Sequence, residues 1–223
     1  DEQCTGESRE NFITRLQQVL QQLKEYPVSL SVDRWDGEWP VRLILNDHRF
    51  LAFAFSSIYD ANSWQGISEA MNIVLGNEKG FYPYADRTRM AELMQSLVNQ
   101  AVSTDFFSMV FDAVDCADQT AVRQQAYEER VQQFPLFAEF TGDLWQFQHC
   151  DPNTIPAELR LNADNIPEQP ALILSGDLDP ITPTHWAEAL HQQWPSSQWL
   201  EIKNTGHAAT VTHGCLLEKV VKF

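Results

Sequence analysis

The pattern that most constrains this chain lies in its last third, where two short apolar segments each run into a loop rich in turn residues. Ala171 to Leu174 is apolar and reads as a strand, and it leads directly into Ser175-Gly176-Asp177-Leu178-Asp179-Pro180-Ile181-Thr182-Pro183. Pro183 to Gln193 carries a helical pattern, with Thr182 as its expected cap and the proline in the first turn, where a missing N–H costs nothing. Gln198 to Ile202 alternates as a second strand and leads into Asn204-Thr205-Gly206-His207. Cys215 to Phe223 closes the sequence as an amphipathic helix. Strand, helix, strand, helix requires a parallel pair, because parallel neighbours need a crossover connection. Loops after consecutive parallel strands open on the same carboxyl edge, where α/β proteins build their sites. Asp179 and His207, 28 positions apart, are separated by one loop, one helix and one strand. The two side chains are therefore expected to meet, the carboxylate fixing the imidazole tautomer and supporting the imidazolium formed on proton transfer. Asp177 is the rival carboxylate in the same loop, and its place one residue past the strand end suits a turn role.

Upstream the reading is coarser. Ser8 is expected to cap a helix to about Glu25, with Phe12, Leu16, Val19, Leu20 and Leu23 on one face and Pro27 as the stop. Val41 to Leu45 and Arg49 to Phe55 read as two strands of a hairpin around Asn46-Asp47. Ser63 to Leu75 reads as a helix with Ile67, Met71 and Val74 inward. Asp86 is expected to cap another, with Met90, Leu93, Met94, Leu97 and Ala101 on its face. Phe106 to Val114 is a candidate buried strand, followed by a weaker helix from Asp118 to about Phe134. Residues 135 to 170 hold five prolines and read as a connection. The division expected from this is 1–105, a helical cap or insertion with a hairpin, and 106–223, a C-terminal α/β segment.

Composition narrows the partners. With 31 Asp+Glu against 15 Lys+Arg and no basic run, the chain lacks what phosphate neutralisation requires, so nucleic acid is excluded as a partner. No stretch reaches the ~18 consecutive apolar residues of a membrane span, and the sequence, which begins Asp1-Glu2-Gln3, does not open on a basic n-region followed by an apolar h-region. The four cysteines, Cys4, Cys116, Cys150 and Cys215, form no CxxC pair and no Cys/His cluster with zinc spacing, so neither metal nor cofactor is implied. From composition they suit two disulfides or four buried thiols equally.

The segments ALILSGDLDPITP and EIKNTGHAATVTHGC resemble the C-terminal region of the tripeptidyl-aminopeptidase-like and proline-iminopeptidase-like serine α/β-hydrolases. FDAVDCADQT and HCDPNTIP resemble two further pieces of that pattern, so the resemblance extends over about residues 106–223 and is looser before it. It implies the C-terminal part of a hydrolase sheet plus a mainly helical cap. Asp179 is then the triad acid and His207 the general base, with the substrate a peptide bearing a free N-terminus. It also implies that carboxylates near the end of the preceding strand, Asp115 and Asp118, hold the substrate ammonium; otherwise Asp118 only caps the next helix. Relation to secreted hydrolases implies a periplasmic or secreted protein with disulfides, Cys116 with Cys150 being the first pairing expected.

The departure from the family is equally informative. The nucleophile elbow Gly-x-Ser-x-Gly occurs nowhere in the 223 residues, nor does a His-Gly-Gly oxyanion loop. The family order is serine, acid, base. The sequence is thus expected to start after the nucleophile, to need a missing N-terminal hydrolase segment, and to be inactive alone. Ser56, Ser57 and Ser175 sit in no elbow and make poor substitutes. Two other readings stand beside the aminopeptidase: a non-catalytic binding or partner subunit on a hydrolase scaffold, and part of an esterase or lipase.

Overall fold

In the computed structural model, the described residues are 7–59, 63–77, 79–103, 110, 116, 125–138, 140, 168–212, 216, 218, 220–221 and 223. Their elements are α1 (Arg9–Glu25), β1 (Val28–Val32), β2 (Val41–Leu45), α2 (Asp47–Ser57), α3 (Trp64–Gly76), α4 (Tyr84–Leu93), α5 (Gln95–Val102), β3 (Ala171–Gly176), α6 (Thr184–Gln193), β4 (Ser197–Ile202) and α7 (Ala209–Thr212). Residues 125–133 are also helical. They divide into two units, Asp1–Ala52 with Met71–Arg160, and Phe53–Ala70 with Leu161–Phe223. The chain passes between the units within α2 and within α3.

The first unit is built on α1 and a small antiparallel hairpin. Ser8 caps α1 by accepting the Asn11 N–H at 3.2 Å, and Leu16, Val19, Leu20 and Leu23 are buried at the spacing of one helical face. Gln22 Nε2 donates to the carbonyl of Val74 at 2.8 Å and to that of Asn77, tying α1 to the end of α3. The hairpin differs from the expected one. Val41–Leu45 pairs with Val28–Val32, in the register Val28↔Leu45, Leu30↔Leu43 and Val32↔Val41. Its turn lies near Gly37, whose φ of 75° suits glycine, with Asp36 accepting the Glu38 N–H at 3.1 Å. Arg49–Phe55, expected as a strand, belongs to α2. The physical reason is Asn46. Its side chain accepts the Arg49 N–H at 3.0 Å and its carbonyl the Phe50 N–H at 2.9 Å, so the Asx chemistry that suits a turn here starts a helix.

Two further expectations shift. α4 begins at Tyr84 after Pro83, not under an Asp86 cap; Asp86 instead accepts from Asn77 Nδ2 at 2.8 Å. The stripe expected on one helix falls on two, because the ladder is interrupted at Met94. Met90, Met94 and Val98 form its buried line, while Ala101 is exposed. Asp115, Asp118, Cys150 and nearly all of Phe106–Val114 lie outside the described residues.

The second unit holds a two-stranded parallel sheet. β3 pairs with β4 from Ala171↔Ser197 to Gly176↔Ile202, and α6 makes the crossover and packs on both strands. Fixings along the pair include Trp199 Nε1 donating to Ser175 Oγ at 3.0 Å and Trp194 Nε1 to the Gln169 carbonyl at 3.1 Å. α6 starts at Thr184 with Pro183 in the cap position and no side-chain cap, so Thr182 does not cap it. The fold is mixed, with more helix than strand and a small parallel sheet carrying the loops of interest.

Candidate active site

The loop carrying Asp179 and the loop carrying His207 leave the carboxyl ends of β3 and β4 side by side. Their backbones are laced together. Asp177 N–H donates to the Ile202 carbonyl at 3.0 Å, and Leu178 N–H to the Thr205 carbonyl at 3.0 Å. The Asp177 carboxylate accepts the Thr205 N–H at 3.3 Å and lies 3.7 Å from Lys203 Nζ. Asp177 is thus a staple between the loops, which develops the turn role its position suggested. The close approach demands Gly176. A Cβ there would stand 2.2 Å from the Thr205 oxygen and 2.4 Å from the Gly206 oxygen.

The His207 loop turns through two left-handed residues, Asn204 at φ 54° and Ala208 at φ 56°, on either side of Thr205, Gly206 and His207. Asparagine tolerates that conformation, whereas alanine adopts it at a cost of about 1–2 kcal/mol. Strain of this kind beside His207 fits a loop whose shape is imposed by what it presents.

What it presents is an imidazole against a carboxylate. His207 Nδ1 lies 3.0 Å from Asp179 Oδ2 and 3.2 Å from Oδ1. Asp179 is buried, at 4% side-chain exposure, whereas His207 keeps 30%. The carboxylate is met by three further donors. Oδ1 accepts the N–H groups of Ile181 at 2.8 Å and Thr182 at 3.0 Å, and Oδ2 accepts the Thr182 hydroxyl at 2.6 Å. Since the Thr182 proton goes to Asp179, its oxygen, 3.2 Å from His207 Nδ1, can only accept there. Nδ1 therefore carries the ring proton, and Nε2 keeps the lone pair that can take one. Burial pushes the Asp179 carboxyl up. The Thr182 hydroxyl, the Thr182 and Ile181 N–H groups and the His207 ring outweigh it, and the net shift is below the ordinary 3.8.

A carboxyl with a depressed folded-state value contributes stability above its unfolded value near 3.8, lost as pH falls through the folded value. Thr182→Val removes one charge-assisted bond and is expected to cost about 1.5–3 kcal/mol at neutral pH. That deficit should shrink as the carboxyl protonates below about pH 4. Urea unfolding at pH 7 and well below the ordinary 3.8 checks this, and an equal deficit at both would contradict it.

The two residues singled out from spacing, Asp179 and His207, are thus brought together, while Asp115 and Asp118 lie outside the described residues. Two partners were not foreseen. Thr182 was read as a helix cap, although a hydroxyl three residues past an acid is within reach of that carboxylate. Tyr59 gave no sequence signal, yet its carbonyl accepts the His207 N–H at 3.0 Å. The serines offered as substitute nucleophiles are engaged elsewhere. Ser56 and Ser57 donate to the Phe53 carbonyl at 2.9 and 2.8 Å, and Ser175 is buried under Trp199. Among the described residues, no group of three His, Cys, Asp or Glu could hold a metal ion, and no helix is long and apolar enough to cross a membrane.

In a comparison with family models, residues 138–223 match the model described as TAP-like protein, of the α/β-hydrolase kind. The C-terminal region is a TAP-like α/β-hydrolase segment. No curated protein and no solved structure matches the chain. The TAP-like segment contains both Asp179 and His207, so the resemblance read from their two loops is supported over 138–223.

Proposed function

We propose that this chain supplies the acid and the base of a serine hydrolase that removes short pieces from the free N-terminus of peptides. The observation that carries the reading is the Asp179 carboxylate held 3.0 Å from His207 Nδ1 by three other donors. In this reading a serine attacks the scissile carbonyl, forming the new C–O bond while its proton passes to His207 Nε2. Asp179 stabilises the imidazolium. The same nitrogen returns the proton to the leaving amine as the C–N bond breaks, and water then releases the acyl group by the same relay.

The serine and the oxyanion donors must come from elsewhere, since the 223 residues hold no Gly-x-Ser-x-Gly. The chain alone is therefore expected to leave amino-acyl p-nitroanilides unhydrolysed; robust turnover by the pure chain would refute this. An N-terminal hydrolase segment is the partner proposed, and intact mass with N-terminal sequencing of the native protein tests it. A lone chain of 25.6 kDa would favour the non-catalytic binding subunit, the reading that the missing elbow itself supports. An active enzyme that cleaves esters and ignores peptides would favour the esterase or lipase reading.

Asp118, with Asp115, is proposed to hold the substrate ammonium. In the active enzyme, Asp118→Asn should raise KM for free-amine peptides about tenfold, for one charge-assisted contact, and leave N-blocked esters unaffected. Equal effects on both substrates would reduce Asp118 to a structural residue. Disulfides in a periplasmic or secreted protein complete the proposal. Cys116 with Cys150 is the pair proposed. Four free thiols in an Ellman assay of the denatured, unreduced chain would rule it out.

A further inference from the structure

Neither the TAP-like match nor the two loop motifs includes residues 53–59, yet this segment belongs to the same compact unit as β3, β4 and both loops. Its last residue, Tyr59, is bound to His207 twice. The Tyr59 carbonyl accepts the His207 N–H at 3.0 Å, which fixes the backbone of the base. The Tyr59 ring meets the imidazole edge to face, with centroids 5.2 Å apart and planes at 90°. Tyr59 is itself seated by Phe55, the ring before it on α2, at 5.7 Å and 83°. Asp179 and Thr182 govern the Nδ1 edge of the imidazole, but a ring held at one edge alone can swing off the carboxylate, and once that bond is lost nothing keeps the proton on Nδ1 rather than Nε2. A perpendicular aromatic neighbour restricts that motion, because edge-to-face pairs at this separation are favoured over other arrangements.

We propose that Tyr59 is a positioning residue for His207, holding both its backbone and its ring plane so that Nε2 faces a fixed direction. The proposal rests on the reading of Asp179 and His207 as acid and base, and it adds a residue from outside the TAP-like segment to that couple. Burial, and then the nearby Asp179 charge, hold the Tyr59 phenol above its ordinary value, so the ring stands neutral beside the imidazole. The working contact is accordingly the ring and not an ionised oxygen.

The test needs no catalysis. The full chain, labelled with 15N-histidine, reports the tautomer of each imidazole by NMR, and loss of one signal in His207→Gln identifies His207. Tyr59→Leu fills much of the same space without an aromatic ring. It should raise the Nε2–H share of His207 about 2- to 10-fold, as expected for loss of an edge-to-face pair. Tyr59→Phe keeps the ring and should restore the parent spectrum, which a mere space-filling role would not require. If Tyr59→Leu does not unfold cooperatively, Tyr59→Met offers the same contrast with a side chain that adapts to irregular gaps. A parent-like tautomer in the leucine or methionine variant overturns the proposal, and so does equal disturbance in the phenylalanine variant. Asp179→Asn separates the two levels: if it leaves the His207 tautomer unchanged, the acid–base reading itself fails, whatever Tyr59 does.

Discussion

Asp179→Asn, in an enzyme that carries this chain together with a serine nucleophile, is expected to lower kcat about 10⁴-fold and to leave KM within a few-fold. The magnitude equals about 5 kcal/mol of transition-state stabilisation, and the local geometry says why an almost isosteric change should cost so much. The N–H groups of Ile181 and Thr182 both point at Oδ1, so the asparagine oxygen must take that place. Its NH2 then occupies the position of Oδ2, facing the Thr182 hydroxyl and His207 Nδ1. A donor there can be met only by an unprotonated Nδ1, and the ring proton moves to Nε2, the atom that must accept from the serine. The wrong tautomer is thus selected by two backbone amides that never touch substrate. His207→Ala removes the proton carrier and should cost more, about 10⁶-fold. Steady-state rates of the two variants with one free-amine substrate decide the matter. Parent-like turnover in Asp179→Asn would remove the carboxylate from the mechanism. A binding subunit would show no turnover to lose, only unchanged affinity for its partner.

The parts of this arrangement that were legible in the sequence are those fixed by local chemistry. β3, α6 and β4 can be read because an apolar run, a proline at a helix start and an alternating segment each demand one element, and parallel pairing follows from their order. The meeting of Asp179 with His207 then follows from topology. RFLAFAF, expected as a strand, is apolar throughout after Arg49, a short run that strands and buried helices share, and it places Phe50 and Phe53 on one helical face, both buried. Only the hydrogen bonds of Asn46 decide between the two. VSLSV, the true partner strand, is five residues long and too short for its period to stand out. Tyr59 lies far from His207 along the chain, and no spacing rule connects them. Thr182 was assigned to a plausible helix cap, and the competing demand of a buried carboxylate became visible only once its two oxygens could be counted against their donors.

Gly176→Ala is expected to cost about 3 kcal/mol of stability, the upper end for inserting one carbon into a packed site, and to break the Asp179–His207 contact. Gly176 does not need glycine for its backbone angles, since positive φ among the described glycines occurs at Gly37 and Gly80. What it needs is space. An added Cβ would lie 2.2 Å from the Thr205 oxygen, 2.4 Å from the Gly206 oxygen and 2.8 Å from the Thr205 carbonyl carbon. These are backbone atoms of the His207 loop, so no side chain can swing aside. Relief requires the loop to move away from β3, and that movement stretches the bond from Leu178 N–H to the Thr205 carbonyl and the one from Thr205 N–H to Asp177, at 3.0 and 3.3 Å. It also carries His207 away from Asp179, two residues downstream. Gly37→Ala provides the contrast. Its φ of 75° imposes a conformational cost of about 1 kcal/mol, but nothing lies within 4 Å of the added carbon. Urea unfolding together with the His207 tautomer separates the two glycines. Gly37→Ala should lower stability and leave the imidazole as it is, whereas Gly176→Ala should disturb both. A Gly176→Ala chain with parent-like stability and an unchanged His207 spectrum would mean that the two loops are not in contact as described.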